Sequence, residues 1–399
     1  LLGWFMTRLR FVRATGFSKP QIIFLFAIKM AGGLAIGFLT HRLYPDANDY
    51  WNMNREGWIE YQLLLNNPAE FCTNLFTSVY HHYNGFFDSV GSYWNDLKNN
   101  LIIKGVALGN VFSQGNYYIN SLFFNSFSFV GLVALYRMYH RYYAGLRWPV
   151  LLGVFLLPST LYFCSGIYKD LIVLGFLGFY LLDADRIIRD RVGWKTYLRF
   201  LISLLGILLI RNYLVLLLVP LTLAYGVSYR YRLSEWTCYA ATIGTGLLAS
   251  WLLPLIKPGW NPIGILLQKK NDFAALPAAN SQLPMHDWQP NLWSVAQQIP
   301  AALEHACLRP FLWEGQGLTL LALSLELSIY IILISISIFR RPTIKYLEQP
   351  SLVKMGLVFA CLMLVVTGLI IPSIGAISRY RSVFLPLILV PVFARLSLS

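Results

Sequence analysis

Hydrophobic and polar positions along this 399-residue chain fall into long blocks, with little of the short-period alternation that marks half-buried strands. Apolar runs close to the ~20 residues that cross a bilayer core recur from end to end. The pattern predicts spans at about 21–40, 117–136, 149–164, 170–184, 236–256, 317–339, 355–372 and 382–397. Residues 199–227 hold two further short runs separated by Arg211-Asn212. The expected fold is all-α: a polytopic integral membrane bundle of about ten helices forming a single transmembrane domain over 1–399. Two polar stretches interrupt it, 41–116 and 257–316. Within the first, 56–80 is too broken to span and suits interfacial helices with Trp58, Tyr61, Phe71 and Tyr80 at headgroup level.

Composition agrees with the pattern. The chain is 57% hydrophobic and 13% charged, against about 25% charged in soluble domains. A net charge of +14 would suggest nucleic acid in a soluble protein. Here the basic residues gather in short loops: Arg137, Arg141 and Arg147, then Arg186 to Arg199, Arg230 with Arg232, and Arg340-Arg341. That is the positive-inside distribution, so membrane topology accounts for the charge. It places both termini in the cytoplasm, with the basic segment 1–20 on that face, and it puts 41–116 and 257–316 outside. The five cysteines show no CxxC spacing and read as small buried hydrophobes, with Cys72–Cys307 the one bridge two outer loops would allow. Neither HExxH, P-loop nor GxSxG occurs, which leaves a compact zinc site, ATP hydrolysis and serine-hydrolase chemistry without support.

Candidate chemistry concentrates in HRLYPDANDYWNMNREGW, His41 to Trp58, just past the first apolar run. Asp46, Asp49 and Glu56 lie there, and a glycosyl transfer onto a hydroxyl needs one carboxylate as general base. Asp49 is the first choice because Tyr50 and Trp51 beside it could stack on a sugar face; Asp46 is the second. Each carboxylate could equally be a solvated loop residue. The basic residues that this topology leaves outside are Lys169, Arg211, Arg309, Arg379 and Arg381. Together they would suit a lipid-linked phosphate or pyrophosphate; singly, each could snorkel or pair with a neighbour, as Lys169 with Asp170. Trp313, Glu314 and Tyr380 flank these cations as candidate substrate-lining residues. Lys29 and Glu326 are ionisable groups within apolar runs, expected to face protein or water or to pair, with each other or with polar neighbours.

This layout resembles the GT-C-type membrane glycosyltransferases and their relatives among bacterial O-antigen and exopolysaccharide polymerases. The likeness rests on DANDYW (46–51), the 56–80 segment and the 257–316 loop. LPSTLYFCSGIYKDLIVLGF (157–176) and GAISRYRSVFLPLIL (375–389) are similar to segments of bacterial polysaccharide-assembly membrane proteins. The resemblance implies Asp49 or Asp46 as base, with Arg379, Arg381, Arg211 and Lys169 holding a polyprenyl phosphate or pyrophosphate. It also implies a bacterial inner-membrane location, a glycan or lipid acceptor, and no obligatory cofactor. An adjacent acidic pair is missing, since Ala47-Asn48 separate Asp46 from Asp49, which leaves both the choice of base and the use of a divalent metal open. A polymerase acting on polyprenyl-pyrophosphate-linked repeat units is the alternative. A lipid-linked glycan transporter or a structural envelope subunit forms the second.

Overall fold

The computed structural model of the chain describes residues 1–43, 49–77, 92–257, 259–276, 281–314, 317–340 and 350–397. Its regular structure is helical, and among the described residues the only β feature is an isolated bridge between Gln282 and Ser373. The helices begin with α1 (Leu2–Arg8), α2 (Arg10–Arg13), α3 (Lys19–Leu43), α4 (Asp49–Asn66), α5 (Pro68–Thr73) and α6 (Tyr93–Ser113). They continue as α7 (Tyr117–Tyr142), α8 (Arg147–Phe155), α9 (Pro158–Phe163), α10 (Lys169–Arg189), α11 (Trp194–Ile210) and α12 (Asn212–Tyr231). The last are α13 (Glu235–Ile256), α14 (Pro262–Ala274), α15 (Leu292–Leu303), α16 (Leu318–Phe339), α17 (Ser351–Ile370) and α18 (Ile374–Ser397).

Seven of these, α3, α7, α12, α13, α16, α17 and α18, are long and apolar enough to cross a membrane. The other three expected spans take different forms. The 149–164 run is broken into α8 and α9, with Pro158 opening the second piece. α10 carries Asp183, Asp185 and Arg186 toward its end, and α11 has only 17 residues. Conversely, α6 fills part of the stretch that the pattern left as polar loop.

The chain forms two compact units, Leu1–Met138 with Val154–Asp183 and Gly193–Asn212, and Tyr139–Gly153 with Ala184–Val192 and Tyr213–Ser399. In the first unit, α4 lies along α6. A Cβ at Gly57 would come within 2.4 Å of Val106, so the two helices touch through a bare backbone. α6 starts with Ser92 accepting from the Asn95 amide at 3.2 Å, and ends where Gln114 and Gly115 both take positive φ. Three asparagines then join α4, α6 and α7. Asn120 donates to Asn54 at 2.8 Å and to Asn110 at 2.6 Å, while Asn110 donates to the Gly57 carbonyl at 2.9 Å. Asn54 reaches the Gly115 carbonyl at 2.8 Å, and Ser113 donates to Asn120 at 2.7 Å. The four side chains of this network, those of Asn54, Asn110, Ser113 and Asn120, are buried; Asn110 and Asn120 are 0% exposed. Buried polar groups need such partners, and these bonds join the three helices. Elsewhere in the unit, α7 and α10 cross at Gly131, whose Cβ would lie 2.4 Å from Gly175.

Lys29, on α3, is buried and donates to the Cys164 carbonyl and to Ser165 Oγ, so the end of α9 supplies the partners its position demands. In the second unit, α17 is the central helix, packed by α13, α14, α15 and α18. Gln282 and Ser373 bridge the extended segment before α15 to the α17–α18 turn. Glu326 accepts a hydrogen bond from Tyr330 at 2.5 Å, one turn along its own helix. Cys72 and Cys307 are both free thiols.

Candidate functional site

The candidate residues fall into two groups, one in each unit. In the first unit, α4 opens at Asp49, so the carboxylate stands in the first helical turn, where it complements the unpaired N–H groups. Asp49 is exposed, and its Oδ2 accepts a hydrogen bond from the Tyr168 hydroxyl at 2.9 Å. The two residues that follow are fixed on rings. Tyr50 stacks on Tyr168 with centroids 4.7 Å apart, and Trp51 stacks on Tyr117 at 4.5 Å. The Trp51 indole also donates to the Gly37 carbonyl at 3.0 Å, and His41 packs on its face at 4.6 Å. Tyr168 reaches this position because Gly166 turns the chain at φ +81°; a Cβ there would lie 2.8 Å from the Tyr117 hydroxyl.

Tyr168 is followed by Lys169, the first residue of α10, and Asp170. Asp170 is fully buried, and its ion-pair partner is Arg211, at the end of α11 and 8% exposed. Asp170 thus has an ion-pair partner at the end of a second helix. Ile172 on α10 and Ile210 on α11 line an open apolar groove of about 520 Å³. Its other walls include Leu101, Phe124, Phe127 and Phe176, so the Asp170–Arg211 pair lies next to residues of the groove. Glu56 stands two turns beyond Asp49 on the same face of α4, exposed and 3.8 Å from Arg55. Asp46 lies outside the described residues.

In the second unit Arg309 holds two carboxylates, Glu314 at 2.5 Å and Glu304 at 2.8 Å. Arg381 is buried and donates to the carbonyls of Ala306 at 3.0 Å and Arg309 at 2.9 Å. Its guanidinium thereby ties α18 to the end of the π-helical turn Glu304–Leu308. Arg379 lies over the Tyr380 ring at 5.6 Å. Trp313 is strongly exposed and stacks on Phe311 at 4.8 Å.

The structure thus brings Asp49, Tyr50 and Trp51 to the segment that carries Lys169 and Asp170, and through Asp170 to Arg211. It separately brings Arg309, Trp313 and Glu314 beside Arg381. Two participants were not singled out from sequence. Tyr168 is the residue before the Lys169-Asp170 pair, and Glu304 precedes Arg309 by five positions. A tyrosine between two apolar runs and beside a Lys-Asp pair, and an acid five positions before an arginine, are the signals that could have flagged them. Chemically, the first group offers an exposed carboxylate hydrogen-bonded to a phenol, in a segment that continues into Lys169, Asp170 and, at Ile172, the apolar groove. Among the described residues, no three His, Cys, Asp or Glu side chains gather into a metal-binding cluster. Neither a protein-family model, a curated protein nor a solved structure matches the chain.

Proposed function

We propose that this chain is a membrane glycosyltransferase that takes a sugar or glycan from a polyprenyl-phosphate carrier on the outer face of the bacterial inner membrane, in cell-surface polysaccharide or glycolipid assembly. The observation that carries the reading is the hydrogen bond from Tyr168 to Asp49 at 2.9 Å. It fixes an exposed carboxylate next to the segment bearing Lys169 and Asp170–Arg211. In this reading the acceptor hydroxyl gives its proton to Asp49 as its oxygen bonds to the anomeric carbon. The bond from that carbon to the carrier phosphate breaks, and the departing oxyanion is neutralised by Lys169 and Arg211. The apolar groove beside Ile172 and Ile210 suits the isoprenoid tail. The broken α8–α9 pair, α10 and α11 would complete about ten spans with both termini cytoplasmic, and α4 and α5 would lie at the outer interface.

The test is transfer by the purified protein from a polyprenyl-phosphate sugar to a glycan acceptor. Asp49→Ala is expected to lower the rate by at least about a hundredfold, and unchanged turnover refutes the reading. The grouping of Arg309 and Arg381 favours a second reading, a polymerase acting on polyprenyl-pyrophosphate repeat units. That reading predicts activity that survives Asp49→Ala and is lost in Arg309→Ala.

A further inference from the structure

The loop between the π-helical turn and α16 carries an exposed aromatic pair with a built support, and its chemistry differs from that of the Asp49 group. Trp313 is 81% exposed. Its ring lies nearly parallel to Phe311, with 11° between the planes and 4.8 Å between centroids. The Arg309 guanidinium sits over the Phe311 ring, 5.3 Å from its centroid. The turn below is hydrogen-bonded at each step. Glu314 Oε2 accepts from the Phe311 amide at 2.9 Å, and the Glu314 amide donates back to the Phe311 carbonyl at 3.0 Å. Arg309 clamps Glu314 from one side and Glu304 from the other. Arg381 then holds the loop to α18 through the Arg309 carbonyl.

A tryptophan that only anchors a protein at headgroup level needs an exposed indole and nothing more. This one is propped on a second ring, and the adjoining Glu314 is joined through Arg309 to Glu304. Glu304 is half exposed, and both its bonds to Arg309 use Oε1, which leaves Oε2 without a partner among the described residues. A flat, electron-rich ring face in a loop that also carries carboxylates is complementary to a pyranose. The axial C–H groups of the sugar carry partial positive charge and meet the π face, while its hydroxyls donate to the carboxylate.

We infer that Trp313 and Phe311, with Glu304 and Glu314, form a saccharide-binding platform for the glycan acceptor. The inference rests on the glycosyltransferase reading for the identity of the acceptor, but the binding itself does not depend on turnover. The experiment therefore uses no donor. Saturation-transfer NMR on the detergent-solubilised protein would be recorded with maltopentaose, cellopentaose and the pentamer of N-acetylglucosamine as probes. Saturable binding of at least one is expected, weakened by about tenfold or more in Trp313→Ala and partly retained in Trp313→Tyr. Glu304→Gln is expected to weaken it severalfold with the melting temperature unchanged. If none of the probes binds, or if Trp313→Ala binds as well as wild type, the platform is refuted. Quenching of Trp313 by brominated lipid with no effect of saccharide would likewise overturn it, in favour of a membrane anchor. A protein inactive in transfer that still binds saccharide through Trp313 sinks the transferase reading and leaves the platform standing.

Discussion

Replacing Asp170 with Asn removes one charge from a deeply buried ion pair of the first unit and leaves Arg211 in place. Asp170 is 0% exposed and Arg211 8%, so water cannot stand in for the lost partner. At an effective dielectric of about 20, two charges ~4 Å apart attract by about 4 kcal/mol. Breaking a buried pair on one side costs about 3–5 kcal/mol, because the remaining charge stays desolvated. Asp170→Asn and Arg211→Met are each expected to destabilise by that amount. The double variant, with no charge left to strand, should recover most of the loss. Equilibrium unfolding in detergent, followed by circular dichroism, measures all four proteins as a double-mutant cycle. Additive single effects, each below about 1 kcal/mol, would refute the argument, since that is the behaviour of a solvated pair. The cycle also separates structure from function. If Arg211 neutralises a carrier phosphate, the double variant regains stability while its affinity for polyprenyl phosphate stays low.

Three further outcomes follow from the geometry. Asn120→Ala strips three hydrogen bonds from the α4–α6–α7 junction and should cost about 1–3 kcal/mol in the same unfolding assay. Gly166→Ala places a Cβ against Tyr117 at a positive φ, costing about 1–2 kcal/mol in backbone strain alone, and should depress transfer by displacing Tyr168 from Asp49. His305 is held below its ordinary value, first by burial and then by nearby Arg309. Between that lowered value and the ordinary 6.5, the unfolded chain binds a proton that the folded one does not. Stability should therefore fall as the pH drops below 6.5, and His305→Gln should flatten that slope.

Much of the helical scaffold was legible as long apolar blocks, because a bilayer-length run needs no partner to be recognised. α6 was not, since it buries Asp96, Lys104 and Asn110, whose polarity masks the helix in any hydropathy average. Their satisfaction comes from elsewhere in the fold: Lys104 meets Glu60 on α4 at 2.5 Å. The acidic DYW segment could be picked out because a carboxylate beside two aromatics is uncommon next to a membrane run. The choice of partner could not. Lys169 and Asp170 are adjacent in sequence, but the pair that Asp170 makes with Arg211 joins residues 41 positions apart. Arg381, chosen for its charge, is engaged with two backbone carbonyls that no spacing in the sequence displays.

The burial of Lys29 has a consequence for how the protein is made. Its partners, Cys164 and Ser165, lie 135 and 136 residues later in the chain. At ribosomal rates of about 5–20 residues per second, they emerge roughly 7 to 27 seconds after Lys29. During that interval α3 would sit in the membrane with an unmatched ammonium, at a cost of about 2.5–3.5 kcal/mol on insertion scales. The early helix thus depends on the late hairpin for its final seat. A nascent chain stopped between them should still slide, tilt or wait beside the translocon, and settle only once α9 has arrived.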